Sequence, residues 1–339
     1  FRPWTSRVSS ATKPPAPALL PPEDGLWRLL FQDAHARAHL VRLDSSFQEI
    51  AQRHPELEPP VIQLLGEMAA AVTLLSGSLK FEGSVLLQLH GDGPLRLAIA
   101  ECTADLSLRG TATCDESQVI LPQAELKTLV NQTGQGRLSL ILDPQKPDQK
   151  PYQGIVGLQA ERLAQAVEDY MSQSDQVQTR LWLASDGQRA AGLMIQQMPV
   201  EGGRPQTTAL PEALDRAQRN ESFHRLSLLG DTLQPEELLS TPAEQLLHQL
   251  FWDEKARLLE QQPVQFRCPC SRVRVGRMLT GLGRDEIEDI LAEQGRVEIH
   301  CHFCNAGYEF DPIDCARLFT ESDLGFETST GPGPSQTRH

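Results

Sequence analysis

Apolar residues at the start of the structured sequence follow the period of a helix. After Gly25 they recur at helical spacing, which predicts an amphipathic helix over residues 26–38. These residues are Leu26, Leu29, Leu30, Ala34 and Ala38. A stronger stripe follows Pro60, since proline is favoured in the first turn of a helix. Its members are Val61, Leu64, Leu65, Met68, Val72, Leu75 and Leu79. Ile62 and Leu74 add a second apolar face, so we expect this helix to be largely buried.

Strand patterns follow this helix. Segments 84–89 and 95–100 flank Gly91-Asp92-Gly93-Pro94, a turn sequence, and are expected to form a hairpin. An amphipathic helix is expected at 160–171. Further strands are expected at 106–113, 137–142, 179–184 and 191–198. Because strands and helices do not alternate regularly, the pattern predicts an α+β fold whose N-terminal domain mixes sheet and helix.

The pattern changes at Gly202-Gly203-Arg204-Pro205. Residues 206–262 are polar with scattered leucines, which predicts short helices. Thr241-Pro242-Ala243-Glu244 is a capping-box sequence with proline in the first turn. The helix that follows carries an apolar stripe of Leu246, Leu247, Leu250 and Phe251. So short a helix is marginal alone, and we expect the stripe to dock on the first domain.

Composition narrows the classes of function. The chain has 339 residues and a net charge of -14, which disfavours nucleic acid as a main partner because phosphate binding needs a basic surface. No run of about 18 uninterrupted apolar residues occurs, so we expect no transmembrane helix and no membrane partner. Seven cysteines, four of them clustered late, fit a cytosolic metal site better than a secreted disulfide scaffold. We therefore expect a cytoplasmic protein.

Four cysteines form two close pairs, Cys268-Pro269-Cys270 and Cys301-His302-Phe303-Cys304. Zinc prefers four tetrahedral ligands, and thiolates suit it. A Cys-x-x-Cys turn brings two sulfurs to one side of a metal, so two pairs with a structured insert can enclose it. The insert is expected to hold a helix at 284–293 and a strand at 296–300. The sequence predicts one zinc ion bound by Cys268, Cys270, Cys301 and Cys304.

The residues leave alternatives at this site. His300 and His302 flank Cys301 and could replace a thiol, and four thiolates also suit an iron–sulfur cluster. A purely structural zinc site competes with a redox switch, in which oxidation joins the sulfurs and expels the metal. Loss of zinc would then unfold the small domain. The remaining cysteines are predicted to be small buried residues: Cys102, Cys114 and Cys315.

Short motifs along the chain match a known family in order and spacing. In the first domain they are Leu79-Lys80-Phe81-Glu82-Gly83, Gln88-Leu89-His90-Gly91-Asp92-Gly93-Pro94, Leu126-Lys127-Thr128-Leu129-Val130, Tyr152-Gln153-Gly154-Ile155-Val156-Gly157-Leu158 and Glu168-Asp169-Tyr170. Around the cysteines they are Phe266-Arg267-Cys268-Pro269-Cys270-Ser271-Arg272 and Ile299-His300-Cys301-His302-Phe303-Cys304. With the Cys-x-Cys and Cys-x-x-Cys pairs, the sequence resembles the redox-regulated heat-shock chaperones of the Hsp33 (HslO) family over roughly residues 25–320.

The resemblance implies an ATP-independent holdase, not an enzyme, that binds unfolding client proteins. Such proteins are inactive when reduced and zinc-bound. Oxidant stress would join Cys268 to Cys270 and Cys301 to Cys304, release zinc and unfold the linker, giving an active form that is usually a homodimer. Two other functions stay open: a thiol-disulfide oxidoreductase, although the thioredoxin-like frame is missing, and a zinc-ribbon adaptor, which the acidic charge disfavours.

Five regions follow from pattern and resemblance. Residues 1–24 form a disordered extension, with an organelle transit peptide as the alternative, since 1–22 are rich in Pro and Ser and lack acidic residues. The others are a core domain at 25–205, a metastable helical linker at 206–262, a zinc-binding domain at 263–325 and a flexible tail at 326–339.

Overall fold

The structure, a computed structural model, describes residues 23–79, 82–146, 149–174, 177–198 and 212–326. The expected extension at 1–24 and tail at 326–339 therefore lie outside the described residues, except at Glu23, Asp24 and Phe326.

The strands are β1 (Asp24–Phe31), β2 (Ala36–Leu43), β3 (Ser84–His90), β4 (Leu95–Thr103), β5 (Ser107–Cys114), β6 (Arg137–Asp143), β7 (Tyr152–Gly157), β8 (Thr179–Ser185), β9 (Ala190–Gln197), β10 (Arg257–Pro263), β11 (Gln265–Phe266), β12 (Val297–His300) and β13 (Gly307–Phe310). The helices are α1 (Ser45–Gln52), α2 (Pro59–Ser78), α3 (Leu126–Val130), α4 (Leu163–Ser174), α5 (Glu212–Asp231), α6 (Pro235–Ser240), α7 (Ala243–Phe251), α8 (Arg272–Leu282), α9 (Arg284–Gln294) and α10 (Pro312–Phe326).

Two sheets enclose the main core. In the described residues, the first sheet has the order β10-β1-β2-β9-β8, and the second has the order β11-β5-β4-β3-β6-β7. The strand pairs are antiparallel, except that β11 runs parallel to β5. Helix α2 lies between the sheets and shares one apolar cluster with both. A separate two-stranded sheet, β12-β13, packs with α8, α9 and α10 around a small core of its own. The expected α+β fold class is confirmed.

Helix α2 is the buried helix that the sequence predicts after Pro60. Its interface with the first sheet is close at Gly77, where a Cβ atom would come within 2.2 Å of the Leu26 side chain. By length and composition α2 could cross a membrane, but 89% of its most apolar window is buried inside the fold. Its hydrophobicity is therefore explained by its central place in the core.

The helix predicted over 26–38 is wrong, because these residues form β1, a turn and the start of β2. Both faces of the first sheet are covered, one by α2 and the other by α5, α6 and α7. A strand that is buried on both faces carries apolar residues at neighbouring positions and loses its two-residue period. Its spacing can then imitate that of a helix.

Most of the other expected elements are present. The hairpin at 84–89 and 95–100 is confirmed by β3 and β4, and the strands expected before 198 are confirmed by β5, β6, β8 and β9. The helix expected at 160–171 begins at Leu163. The expected insert between the cysteine pairs is confirmed by α9 and β12.

The region 206–262 differs from the predicted run of short helices. Helix α5 has 20 residues, and β10 pairs with β1 across the expected boundary at 262/263. Because β10 is an exposed edge strand that backbone hydrogen bonds hold, its side chains carry no alternating pattern. The capping box predicted at 241–244 does not form. Instead, the Ala243 N–H at the start of α7 donates to the Glu23 carboxylate at 3.2 Å.

Candidate metal centre

The second sheet positions the first cysteine pair through strand β5. Strand β11 pairs with Ser107 and Leu108 of β5, and the Arg267 N–H donates to the Leu108 carbonyl at 3.0 Å. Cys268 follows directly, and Cys270 is separated from α8 by Ser271 alone. The Ser271 hydroxyl caps α8 by accepting a hydrogen bond from the Arg274 N–H at 3.3 Å. Both cysteines therefore lie next to backbone that hydrogen bonds hold in place.

A tight turn between β12 and β13 carries the second pair. The Cys301 N–H donates to the Ala306 carbonyl at 3.0 Å, and the Asn305 N–H donates to the Cys301 carbonyl at 2.8 Å. Asn305 has a φ of 55°, a left-handed conformation that asparagine tolerates better than most residues. The turn brings Cys301 and Cys304 to the same side of the hairpin.

The two pairs converge on one point. The four Sγ atoms all lie within 4.8 Å of one another. The shortest sulfur–sulfur distances run between the pairs, at 3.7 Å from Cys268 to Cys301 and 3.2 Å from Cys270 to Cys304. Four thiolates at about 2.3 Å from a tetrahedral zinc ion would be separated by about 3.8 Å. The number, chemistry and spacing of these donors therefore fit a metal ion such as zinc.

The thiols of the cluster differ in acidity. Burial raises the pKa of Cys268 and that of Cys304. Burial also raises the pKa of Cys270, but a hydrogen bond from the Tyr308 hydroxyl at 3.1 Å and the neighbouring thiols outweigh it, and the pKa falls to about 7. Donation to Cys270 raises the pKa of Tyr308 to about 12. Cys270 therefore becomes a thiolate at lower pH than Cys268 or Cys304. The thiolate is the form that binds metals and reacts with oxidants.

The remaining candidate ligands lie outside this cluster. Among the described residues, the group whose ligand atoms converge consists of the four cysteines and includes neither His300 nor His302. Cys102 and Cys315 are buried, as predicted for small core residues, whereas Cys114 is only half-buried.

The apolar stripe of α7 lies on the outer face of the first sheet. Leu246, Leu247 and Phe251 are buried there, and Leu250 is partly buried. The Phe251 ring meets the Phe31 ring of β1 edge to face, with centroids 5.0 Å apart. Helices α5 and α6 cover the rest of this face.

A buried arginine anchors the junction between α6 and α7, which sequence reasoning missed. The Arg42 guanidinium is nearly inaccessible and donates to the carbonyls of Leu239 and Thr241 at 2.5 Å each. Carboxylates of Glu23 and Asp44 lie 3.9 Å away. The sequence signal for this anchor is the position of Arg42 between the apolar residues Val41 and Leu43 of β2. A charge buried at such a position needs polar partners, which the carbonyls supply.

A family model described as Hsp33 protein matches residues 24–311 of the chain. The chain belongs to the Hsp33 family. The resemblance read from the sequence is thereby confirmed, and the chain is an Hsp33-type chaperone by family.

Relatives of this Hsp33-family chain carry the name 33 kDa chaperonin. The protein of Methylobacillus flagellatus is 41% identical over 298 residues, which cover 88% of this chain and 94% of the relative. That of Nitrosococcus oceani is 41% identical over 308 residues, covering 91% and 98%. The crystal structure of the 33 kDa chaperonin of Thermotoga maritima superposes with a TM-score of 0.72 at 22% identity, covering 89% of this chain and 99% of that one. At this identity the likeness shows the fold alone.

Proposed function

We propose that this protein is a redox-regulated, ATP-independent holdase for unfolding client proteins. Its reduced form holds zinc on four thiolates and is inactive. Oxidation of the thiols releases the metal, undocks the linker and uncovers an apolar surface. The observation that carries the proposal is the pair of features joined by β10 and β11: an apolar sheet face covered by the linker, and a four-cysteine centre.

The covered face supplies the client-binding chemistry. Its side chains come from β1, β2, β8 and β9 and are buried under α5, α6 and α7. Once uncovered, so large an apolar surface would bind exposed apolar segments of other chains. The net charge of -14 would keep the uncovered form in solution.

The path from the cysteines to this face is short. Strand β10 ends at Pro263, and Val264 leads into β11 and Cys268. At the crossing, the Val264 N–H donates to Asp24 of the first sheet, and the Gln265 N–H donates to Leu106 beside the second. This segment, residues 263–265, is held at both sheets. If the cysteine-bearing region that follows it unfolds, the segment and strand β10 before it would lose support. Local unfolding of this kind needs only a few kcal/mol.

The switch chemistry follows from the thiols. Zinc, when bound, would hold the four sulfurs as thiolates. Each disulfide forms when two thiolates lose two electrons to hydrogen peroxide, which takes up two protons from solvent and is reduced to two water molecules. By family expectation Cys268 joins Cys270 and Cys301 joins Cys304. Peptide mapping of the oxidised protein would test this pairing, because the shortest sulfur contacts in the structure run between the pairs. We further propose a reducing cytoplasmic compartment and a homodimeric oxidised form.

The test is suppression of the aggregation of a heat-unfolded client. Protein oxidised with peroxide should suppress aggregation, and the same sample after reduction and zinc loading should not. A variant with Cys268 and Cys301 replaced by serine should lose zinc binding and oxidant control. Equal suppression by reduced and oxidised wild-type protein would contradict the proposal.

A further inference from the structure

The loop that holds the second cysteine pair is packed directly on the N-terminal domain. Its Cys304 carbonyl accepts a hydrogen bond from Arg53 Nη1 at 3.1 Å. The Phe303 ring lies under the Arg109 guanidinium, with 4.1 Å from the central carbon to the ring centroid. Arg53 follows the end of α1 and Arg109 belongs to β5, so both contacts join the cysteine loop to the first domain.

Both arginines are themselves held in place. Arg53 also stacks over the Phe266 ring, at 4.8 Å from the ring centroid, and so contacts both the strand that precedes the first cysteine pair and the loop that carries the second. Arg109 donates from Nε to the Glu101 carboxylate at 2.7 Å, and Glu101 is only 6% exposed. Each guanidinium therefore has a contact outside the cysteine loop that helps to hold it in place.

We infer that Arg53 and Arg109 form a clamp that stabilises the closed, metal-binding conformation of residues 301–304. Phe303 lies between two ligands, and the carbonyl that Arg53 binds belongs to a ligand. In the structure these groups contact the arginines with the turn closed, and opening the turn would draw them away. By linkage, docking that favours the closed turn must also favour metal retention, and metal retention must favour docking.

This inference rests on the proposed function and adds residues of the first domain to the redox sensor. The clamp sets how readily the metal centre opens. When the centre opens, the arginine contacts with β5 and β11 change as well. The sensor is therefore shared between the two domains rather than confined to the cysteine-bearing one.

The experiment measures zinc release from reduced full-length protein into a chromophoric chelator, with and without peroxide. Arg53→Met and Arg109→Met keep the apolar stem and remove the charge and the donors. Arg109→Met should speed zinc release roughly three- to tenfold, as expected for loss of a cation–π contact. Arg53→Met should speed it roughly tenfold or more, as expected for loss of a charged hydrogen bond. Arg96→Met is the matched control, because Arg96 pairs with Asp115 on the same sheet and its side chain is 46% exposed.

A second variant separates the clamp from damage to the sheet. Arg109→Met leaves Glu101 buried without its partner, whereas Phe303→Leu removes the stacked ring and keeps that ion pair. The two changes should be non-additive when combined, because each removes the same contact. In the wild type, zinc removal should also speed hydrogen exchange at residues 107–109.

Release rates equal to that of Arg96→Met for both clamp variants would overturn the inference, as would full additivity of Arg109→Met and Phe303→Leu. No client protein enters these measurements. A failed clamp can therefore be told from a failed holdase, which the aggregation assay alone decides.

Discussion

Replacing Phe251 with alanine should undock the linker without oxidation of any cysteine. Phe251 is 2% exposed, and its ring packs edge to face on Phe31. A buried phenylalanine truncated to alanine costs about 3–5 kcal/mol, part of it from the lost aromatic pair. Since about 1.4 kcal/mol is a factor of ten in an equilibrium constant, the undocked population should rise by roughly a hundredfold to a few thousandfold. The cost falls on docking, because α7 is too short to persist alone.

Hydrogen exchange of the reduced, zinc-loaded protein measures this population. Residues 235–251 should exchange faster in Phe251→Ala than in wild type, and the variant should suppress client aggregation with its zinc still bound. Trp252→Ala is the matched control, since Trp252 follows on the same helix end and is 72% exposed. It removes an aromatic ring at little cost in burial.

Two results would refute the reasoning. If Phe251→Ala exchanges no faster than Trp252→Ala over α6 and α7, the stripe does not hold the linker. If instead α2 and the second sheet exchange faster to the same extent, the linker does not open separately from the core. Phe251→Leu should recover most of the wild-type protection, because it restores most of the buried volume.

Three further predictions follow from the anchor, the isolated cysteines and the metal site. Arg42→Met should speed exchange at α6 and α7, since it removes charged hydrogen bonds worth about 1.5–3 kcal/mol each; unchanged exchange would contradict the anchor. A protein with Cys102, Cys114 and Cys315 replaced by alanine should switch with oxidant as wild type does, because burial raises the pKa of each and suppresses its thiolate; a variant that peroxide cannot activate would disprove this. Zinc affinity should rise from pH 6 to pH 8 in a competition titration, because metal binding displaces thiol protons and the pKa of Cys270 is about 7; a flat profile would mean that thiolates are not the ligands.

The sequence predicted the cysteine centre because its geometry is mostly local. Cys268 and Cys270 are two positions apart, Cys301 and Cys304 lie in one turn, and the insert carries its own helix and strand. Helix α2 could be predicted equally well from the sequence, since Pro60 and a long apolar stripe mark it clearly. Both cases depend on neighbours in sequence.

The features that the sequence did not predict depend on distant partners. Strand β10 forms because β1 offers an edge, and its own exposed side chains carry no strand pattern. The contacts of Arg53 and Arg109 with residues 303–304 join segments that lie far apart in the chain. Residues 26–38 were wrongly predicted to be a helix for a related reason. Helix α2 covers one face of the first sheet and the linker covers the other, so the strands have apolar residues on both faces and lack the two-residue period of a strand.

The most direct test of the account follows zinc release and chaperone activity in the same sample of wild-type protein during oxidation with peroxide. Zinc is counted with a chromophoric chelator, and aliquots are assayed for suppression of client aggregation. The account predicts one zinc released per chain and a rise in activity that does not precede the release. Full activity while the zinc is still bound, or complete zinc release without any gain in activity, would contradict it.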